Sequence, residues 1–305
     1  MTIFTQLSNG TPMAFTEFSC ALQTQSISVP TQRPEQDFCF CDFECDFTEL
    51  VLADLSTTED YKNDRTSVLI DLPDTSLSFT INLVSLETGV ITPLVDSTYG
   101  TYYALGSITG HPTKGGYLLE WNKVSTLLGF GTYYITQEQT LFTGTVTDQS
   151  YNFRLMPYTE VRANRTVKIE SVHNGCIEGG VDYTGMNWLK SIRIPGKFGN
   201  LVPRMEVDNY VSTNRKIIQI QDQIINEYTL STRRVPEAVL VPLVQDRILA
   251  NQIFITDYNL DSFQDIRQKE VVALEITDTV YNAGSKKAKY SIRFEEKLQN
   301  IIKRN

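Results

Sequence analysis

The side chains whose types and spacing could do chemistry begin with a cysteine group. Cys39, Cys41 and Cys45 lie in one run, with Cys20, Cys176 and His173 elsewhere in the chain. From Cys41 onward the run alternates: Cys41, Phe43, Cys45 and Phe47 face one way, and Asp42, Glu44 and Asp46 the other. A period of two marks a half-buried strand. Along a strand Cys39 and Cys41 stand ~7 Å apart and Cys41 and Cys45 ~13 Å. Zinc takes four ligands from compact turns, so these three cannot share an ion without a sharp bend. They read instead as small apolar core residues, and no metal is expected.

Acids form a second group: Asp37, Asp42, Glu44, Asp46 and Glu49, followed by Glu59, Asp60 and Asp64. Calcium would suit such oxygens, but no D-x-D-x-D-G loop is present. The outer, solvated face of a strand is the simpler reading. Nucleophilic catalysis fails on inventory, because the chain holds only 2 histidines and no G-x-S-x-G or cysteine-protease signature. His111 (in Gly110-His-Pro) and His173 (in Val172-His-Asn-Gly) sit at turns and are expected at the surface. Paired carboxylates for glycoside cleavage meet only in three dimensions, and with 36 acids any chosen pair is uninformative. Neither phosphate-loop pattern occurs, and no cofactor is expected.

Aromatic residues carry more. Tyr99, Tyr102, Tyr103, Trp121, Tyr133, Tyr134 and Trp188 could offer stacking surfaces for sugars or bases. The neighbours Tyr102–Tyr103 and Tyr133–Tyr134 place one ring on each face of a strand, so one of each pair is expected at the surface or against a partner. Subunit contact is the favoured use, since tyrosine is enriched at interfaces. The tail adds a basic strip, with Lys286, Lys287, Lys289 and Arg293 interleaved with Tyr290, Ile292 and Phe294. Such lysines either discourage sticking at an edge strand or dock an acidic neighbour, such as residues 37–64 of another copy.

Charge is divided along the chain. Residues 1–150 hold 5 Lys+Arg against 18 Asp+Glu, a net of -13, and residues 151–305 hold 22 against 18, a net of +4; together these give the overall -9. A chain acidic at one end and mildly basic at the other suits contact with its own copies. Net acidity argues against a general nucleic-acid binder. The opening Met1–Ser8 has no basic region followed by an apolar one, so no signal peptide is expected, and no run approaches the length of a membrane span. Five cysteines, an odd number, suit free thiols in a reducing compartment.

The elements that must position these groups are mostly strands. Residues 1–36 read as a polar arm interrupted by Pro30 and Pro34. Residues 37–158 read as an immunoglobulin-like β-sandwich: short strands at 41–47, 66–71, 77–84, 90–92, 99–108, 116–121, 131–136 and 149–158, with one short helix at 123–128 capped by Asn122 and stopped by Gly129. Residues 159–305 read as a second β-rich (α+β) domain with strands at 165–173, 189–194, 204–211, 216–220, 227–232, 253–256, 271–276 and 289–294. Its best helix spans 236–250, with Val239, Leu243, Ile248 and Leu249 on one face and Pro242 bending it or delaying its start. The fold class is therefore mainly β, with two strand-rich domains and one or two short helices.

The motifs Tyr151-Asn-Phe-Arg-Leu, Thr166-Val-Lys-Ile-Glu, Asn187-Trp-Leu-Lys-Ser-Ile-Arg-Ile-Pro-Gly-Lys-Phe-Gly, Asn226-Glu-Tyr-Thr-Leu and Ile248 to Leu260 follow in an order that resembles virion structural proteins of tailed phages infecting Bacteroidota. The resemblance covers residues 115–305. It implies a copy in a tail, baseplate or connector ring, located in the virion and assembled in the host cytoplasm, with no catalytic residues. Two readings follow. The first is a non-enzymatic structural subunit that meets copies of itself and other virion proteins, without nucleic acid or membrane. Its contact candidates are Asp42, Glu44, Asp46, Tyr102, Tyr103, Tyr133, Tyr134, Lys286, Lys287, Lys289 and Arg293. The second is a carbohydrate-binding or host-adhesion module using Trp121, Trp188 or the tyrosine pairs; exposed rings would favour it and buried ones weaken it.

Overall fold

The computed structural model describes residues 22–23, 47–57, 59–164, 166–175, 182–211, 213–215, 217–236, 239, 243–248, 250–257, 266–282, 287–297 and 300–303. The chain is mainly β, as its alternating runs predict. The first half contributes β1 (Leu22–Gln23), β2 (Thr48–Ala53), β3 (Arg65–Asp71), β4 (Ser78–Ser85), β5 (Ile91–Pro93), β6 (Gly100–Tyr103), β7 (Lys114–Glu120), β8 (Gly131–Leu141), β9 (Gly144–Ser150) and β10 (Asn152–Pro157), with α1 (Trp121–Leu127) between β7 and β8. After a turn of helix, α2 (Glu160–Ala163), come β11 (Thr166–His173), β12 (Trp188–Val211), β13 (Ile217–Thr232), β14 (Val235–Pro236), β15 (Gln252–Asp257), β16 (Lys269–Asn282), β17 (Lys287–Glu296) and β18 (Asn300–Lys303).

Sheet membership changes between Pro157 and Thr166. Before that point a 7-stranded sheet runs β1-β9-β8-β10-β2 with β4 and β5 joined through β8, and a 3-stranded sheet runs β3-β7-β6. Their apolar faces meet: Val51, Ile81, Leu83, Ile135, Phe153 and Leu155 from one sheet share a core with Val68, Ile70, Tyr117 and Leu119 from the other. Glycine makes the small sheet possible. A Cβ on Gly116 would lie 2.1 Å from the carbonyl oxygen of Val68, and one on Gly100 would lie 2.0 Å from that of Leu118. Gly116→Ala is therefore expected to lower stability by roughly 2–4 kcal/mol, because rigid backbone rather than a flexible side chain would have to move. Denaturant unfolding of the variant checks this.

After Pro157 all strands join one antiparallel sheet, and it closes on itself. Pairing passes β17-β16-β15-β11-β12-β13 and returns from β13 to β17, giving a six-stranded barrel with β14 and β18 attached. Val167, Ile169, Ile192, Ile194, Phe198, Leu230, Ile255, Ile292 and Phe294 are buried in its core, and the same cluster continues into the sheets of the first half. Val239, Leu243 and Ile248 also join it.

Several expectations are revised. The strand expected over 99–108 stops at Tyr103, while 204–211 and 189–194 prove to be parts of one strand, as do 216–220 and 227–232. Within the span expected as a helix at 236–250, Val235–Pro236 instead pairs with β17, where a proline is tolerated because β14 is an edge strand. Val239 is helical and Leu243–Arg247 forms a π-helical turn, while 237–238, 240–242 and 249 lie outside the described residues. The first helix starts at Trp121, one residue before Asn122, and Gly129 follows its end at φ 92°.

Candidate functional site

The densest group of ionisable side chains lies inside the molecule, between the two halves. Arg193 of β12 reaches across to Asp64, before β3, with Nε donating to Oδ2 at 2.8 Å and Nη2 to Oδ1 at 2.7 Å. Asp64 Oδ2 also accepts the backbone N–H of Leu52 at 2.7 Å. Lys168 of β11 donates to the carbonyls of Asp60 at 2.6 Å and Asn63 at 3.0 Å, and pairs with Glu170 at 3.0 Å. Glu49 of β2 accepts the N–H of Arg193 at 2.7 Å and the hydroxyl of Tyr151 at 2.6 Å. Asp64, Lys168 and Arg193 are each no more than 2% exposed. Around them Trp121 donates its indole N–H to Thr66 at 2.8 Å.

Strand alternation explains how these residues arrive together. In Thr166-Val-Lys-Ile-Glu-Ser, Val167 and Ile169 face the barrel core and Lys168 and Glu170 face the other way, which would ordinarily be water. Here residues 47–64 cover that second face, and the strand is buried on both sides from Val167 to Ser171. Every charge taken from water must then be paired. The arrangement does so with bidentate and backbone bonds, and it functions as a latch between the halves.

Two titratable groups within this interior are displaced from their ordinary ranges. Burial pushes the Glu49 carboxyl up to about 7, against the pull of the Tyr151 hydroxyl, the Arg193 N–H and the Arg247 charge. Burial, aided by the Arg247 charge, lowers His173 to about 3. Neither histidine is at the surface as its turn context suggested. His173 is 0% exposed, bonded through Nε2 to Ser171 Oγ at 3.0 Å and packed on Tyr183. His111 is buried, with Nε2 2.8 Å from the carbonyl of Thr184. Among the described residues no group of three or more His, Cys, Asp or Glu is arranged to hold a metal ion.

The sequence-derived contact residues fall in different places. Asp42, Glu44, Asp46 and Lys286, with Cys20, Cys39, Cys41, Cys45 and Cys176, lie outside the described residues. Tyr102 and Tyr103 do point to opposite faces of the small sheet, but both faces are covered. Tyr102 packs near Tyr117 and Phe79, and Tyr103 stacks toward Trp188 at 5.2 Å. Tyr133 is buried with its hydroxyl on the carbonyls of Leu128 and Gly129, while Tyr134 is half-buried. Trp121 is 0% and Trp188 5% exposed, so neither indole offers a platform to a sugar. On β17, Lys289 is exposed, Lys287 is half-buried, and Arg293 is held by Glu227 and Glu275 of its own chain.

Two long hairpins, read in the sequence as shorter strands, present exposed apolar surface. β12 runs for 24 residues and β13 for 16; beyond Pro195, β12 pairs with β13 alone. From Val202 to Met205 both faces of β12 are exposed. The hairpin projects ~20 Å past that point, and β18 pairs along β13 at Gln221–Ile224 as a third strand. β16, 14 residues long, leaves β15 after Val271 and continues with β17 alone to Asn282. Because β13 and β17 are antiparallel, the tip at the start of β13 and the tip at the start of β17 point in opposite directions. The arms thus leave the barrel at opposite ends. Exposed apolar residues lie on both: Val202, Met205 and Ile224 on one, and Val272, Leu274, Ile276 and Val280 on the other.

No protein-family model matches the chain, and no curated protein matches it by sequence. No described helix is long and apolar enough to cross a membrane. One surface groove of about 690 Å³ is lined by Asp54, Leu55, Ser56, Thr57, Thr98, Asn122, Lys123, Thr126 and Leu127. Asp54 there is bonded to Ser56 and Lys123 is paired with Glu120, so the groove holds ordinary surface hydroxyls and satisfied charges.

Proposed function

We propose that this chain is a non-enzymatic structural subunit that assembles by protein–protein contacts. The setting its sequence resemblance implies is a ring or a tail or baseplate layer of a phage particle. The observation that carries the reading is the pair of arms. A closed barrel has no strand edges to offer, yet this one extends two hairpins from opposite ends and leaves apolar side chains in water on each. Surface that monomeric proteins avoid marks a place where another molecule belongs. Arms at opposite ends suit heterologous contacts, which build rings when the rotation closes and stacks when it does not. We read the chain as an immunoglobulin-like sandwich over 37–158 and a barrel domain over 159–305, held as one unit by the buried latch.

The test uses residues that the fold does not need. The combined variant Val202→Ser, Met205→Ser and Ile224→Ser is expected to melt at the temperature of the parent protein and to lose self-association in sedimentation velocity. Unchanged sedimentation would contradict a role for this arm in assembly.

A further inference from the structure

Apart from Val161, the remaining exposed apolar residues sit on the first half, and one group of them has a specific chemistry. The β4–β5 turn is pinned beside the segment that follows α1: Leu86 N–H donates to the Thr132 carbonyl at 2.8 Å, and Glu87 accepts the Thr132 N–H at 2.7 Å. Together these segments expose Leu86 (55%), Val90 (56%), Ile91 (63%) and Phe130 (42%) along one rim. The rim has no cation of its own strands to meet. Residues 66–113 and 124–153 contain no Lys or Arg, while they contain Asp71, Asp74, Glu87, Asp96, Glu138 and Asp148. An apolar rim in an acidic, cation-free setting calls for a partner that is apolar and basic.

The β16–β17 arm has that chemistry. Its outward face carries Lys287 and Lys289, with Val280 paired directly opposite Lys289. Among the described residues neither lysine makes an ion pair, unlike Arg293 further down the strand. The edge of β16 itself is poorly suited to strand addition, because register shifts at Ala273/Glu275 and Ile276/Asp278 kink it. Contact through side chains on the arm's face remains. The geometry points to a head-to-tail contact between copies, in which the Val280, Lys287 and Lys289 face of one copy seats on the Leu86, Val90, Ile91 and Phe130 rim of the next. This rests on the subunit reading above and supplies its contact pair. Apolar burial provides the attraction, and the charge pattern sets direction, since rim against rim and arm against arm both repel.

A charge swap tests it in the full-length chain, with mass read by light scattering and folding checked by thermal melting. Lys287→Glu with Lys289→Glu, and separately Val90→Lys with Ile91→Lys, are each expected to reduce the assembled mass to that of the monomer. All four substitutions in one chain are expected to restore part of the assembled mass, because the signs are exchanged on both surfaces while Leu86, Phe130 and Val280 still supply the apolar contact. If the parent assembles and either pair leaves its mass unchanged, or the fourfold variant stays monomeric while folded, this contact is wrong and the subunit reading stands on other surfaces. If the parent itself never assembles, both fall together.

Discussion

Arg193→Ala is expected to be the most damaging single substitution in the chain, costing about 3–5 kcal/mol. The variant leaves Asp64 buried with its bidentate partner gone, and an unpaired interior carboxylate is far more costly than a missing contact. Lys168, 3.8 Å from Asp64, recovers part of the loss, which places the effect nearer the lower figure. At 2–4 °C per kcal/mol for a chain of this size, the melting temperature falls by about 10 °C. Replacing both partners by apolar residues, Arg193→Met with Asp64→Leu, is expected to recover much of it, since neither charge is then taken from water. Thermal or denaturant unfolding checks both variants. An alanine variant as stable as the parent would show that the halves are not held by this latch.

Stability is expected to depend on pH through two interior groups acting in opposite directions. His173 has a folded value of about 3, below its ordinary 6.5, so it contributes stability that is present above pH 6.5 and lost as pH falls toward 3. At 1.36 kcal/mol per unit, that is about 5 kcal/mol. Glu49 is raised to about 7 from 4.5, so its contribution is present below pH 4.5 and lost as pH rises through 7, about 3 kcal/mol in all. His173→Gln is therefore expected to flatten the acid limb between pH 6.5 and 3. Glu49→Gln is expected to remove the decline between pH 4.5 and 7. Chemical denaturation across pH 3–8 separates the two, and parallel profiles for parent and variants would refute the assignment.

Much of the strand content was legible because alternation survives wherever one face meets the core. The runs at 66–71, 77–84 and 289–294 read directly, and the acidic and basic halves followed from counting. Closure of the barrel was not legible, because the bond between β13 and β17 joins segments that nothing in either sequence marks as neighbours. The arms were missed for a related reason: 189–194 and 204–211 were read as separate strands on either side of the bulge at Gly199/Val202, and 271–276 was ended at the register shift at Ile276/Asp278. Nothing in the sequence marked Lys168, Glu170 and Arg193 within the strands at 165–173 and 189–194 as interior. Only the packing of residues 47–64 over them, a tertiary event, made them interior. The histidines failed in the same way, since turn context says nothing about what folds over the turn. The tyrosine pairs kept their predicted opposite faces; Tyr102, Tyr103 and Tyr133 pack against their own chain, and Tyr134 is half-buried.

Mass in solution tests the central claim most directly. The full-length protein would be measured by multi-angle light scattering over a rising concentration series, with the same samples imaged by negative-stain microscopy. Rings or stacks of defined stoichiometry, built from a 34.6 kDa subunit and lost in the arm variants, are the predicted result. A monomer at every concentration, with the apolar arms still in water, would contradict the account.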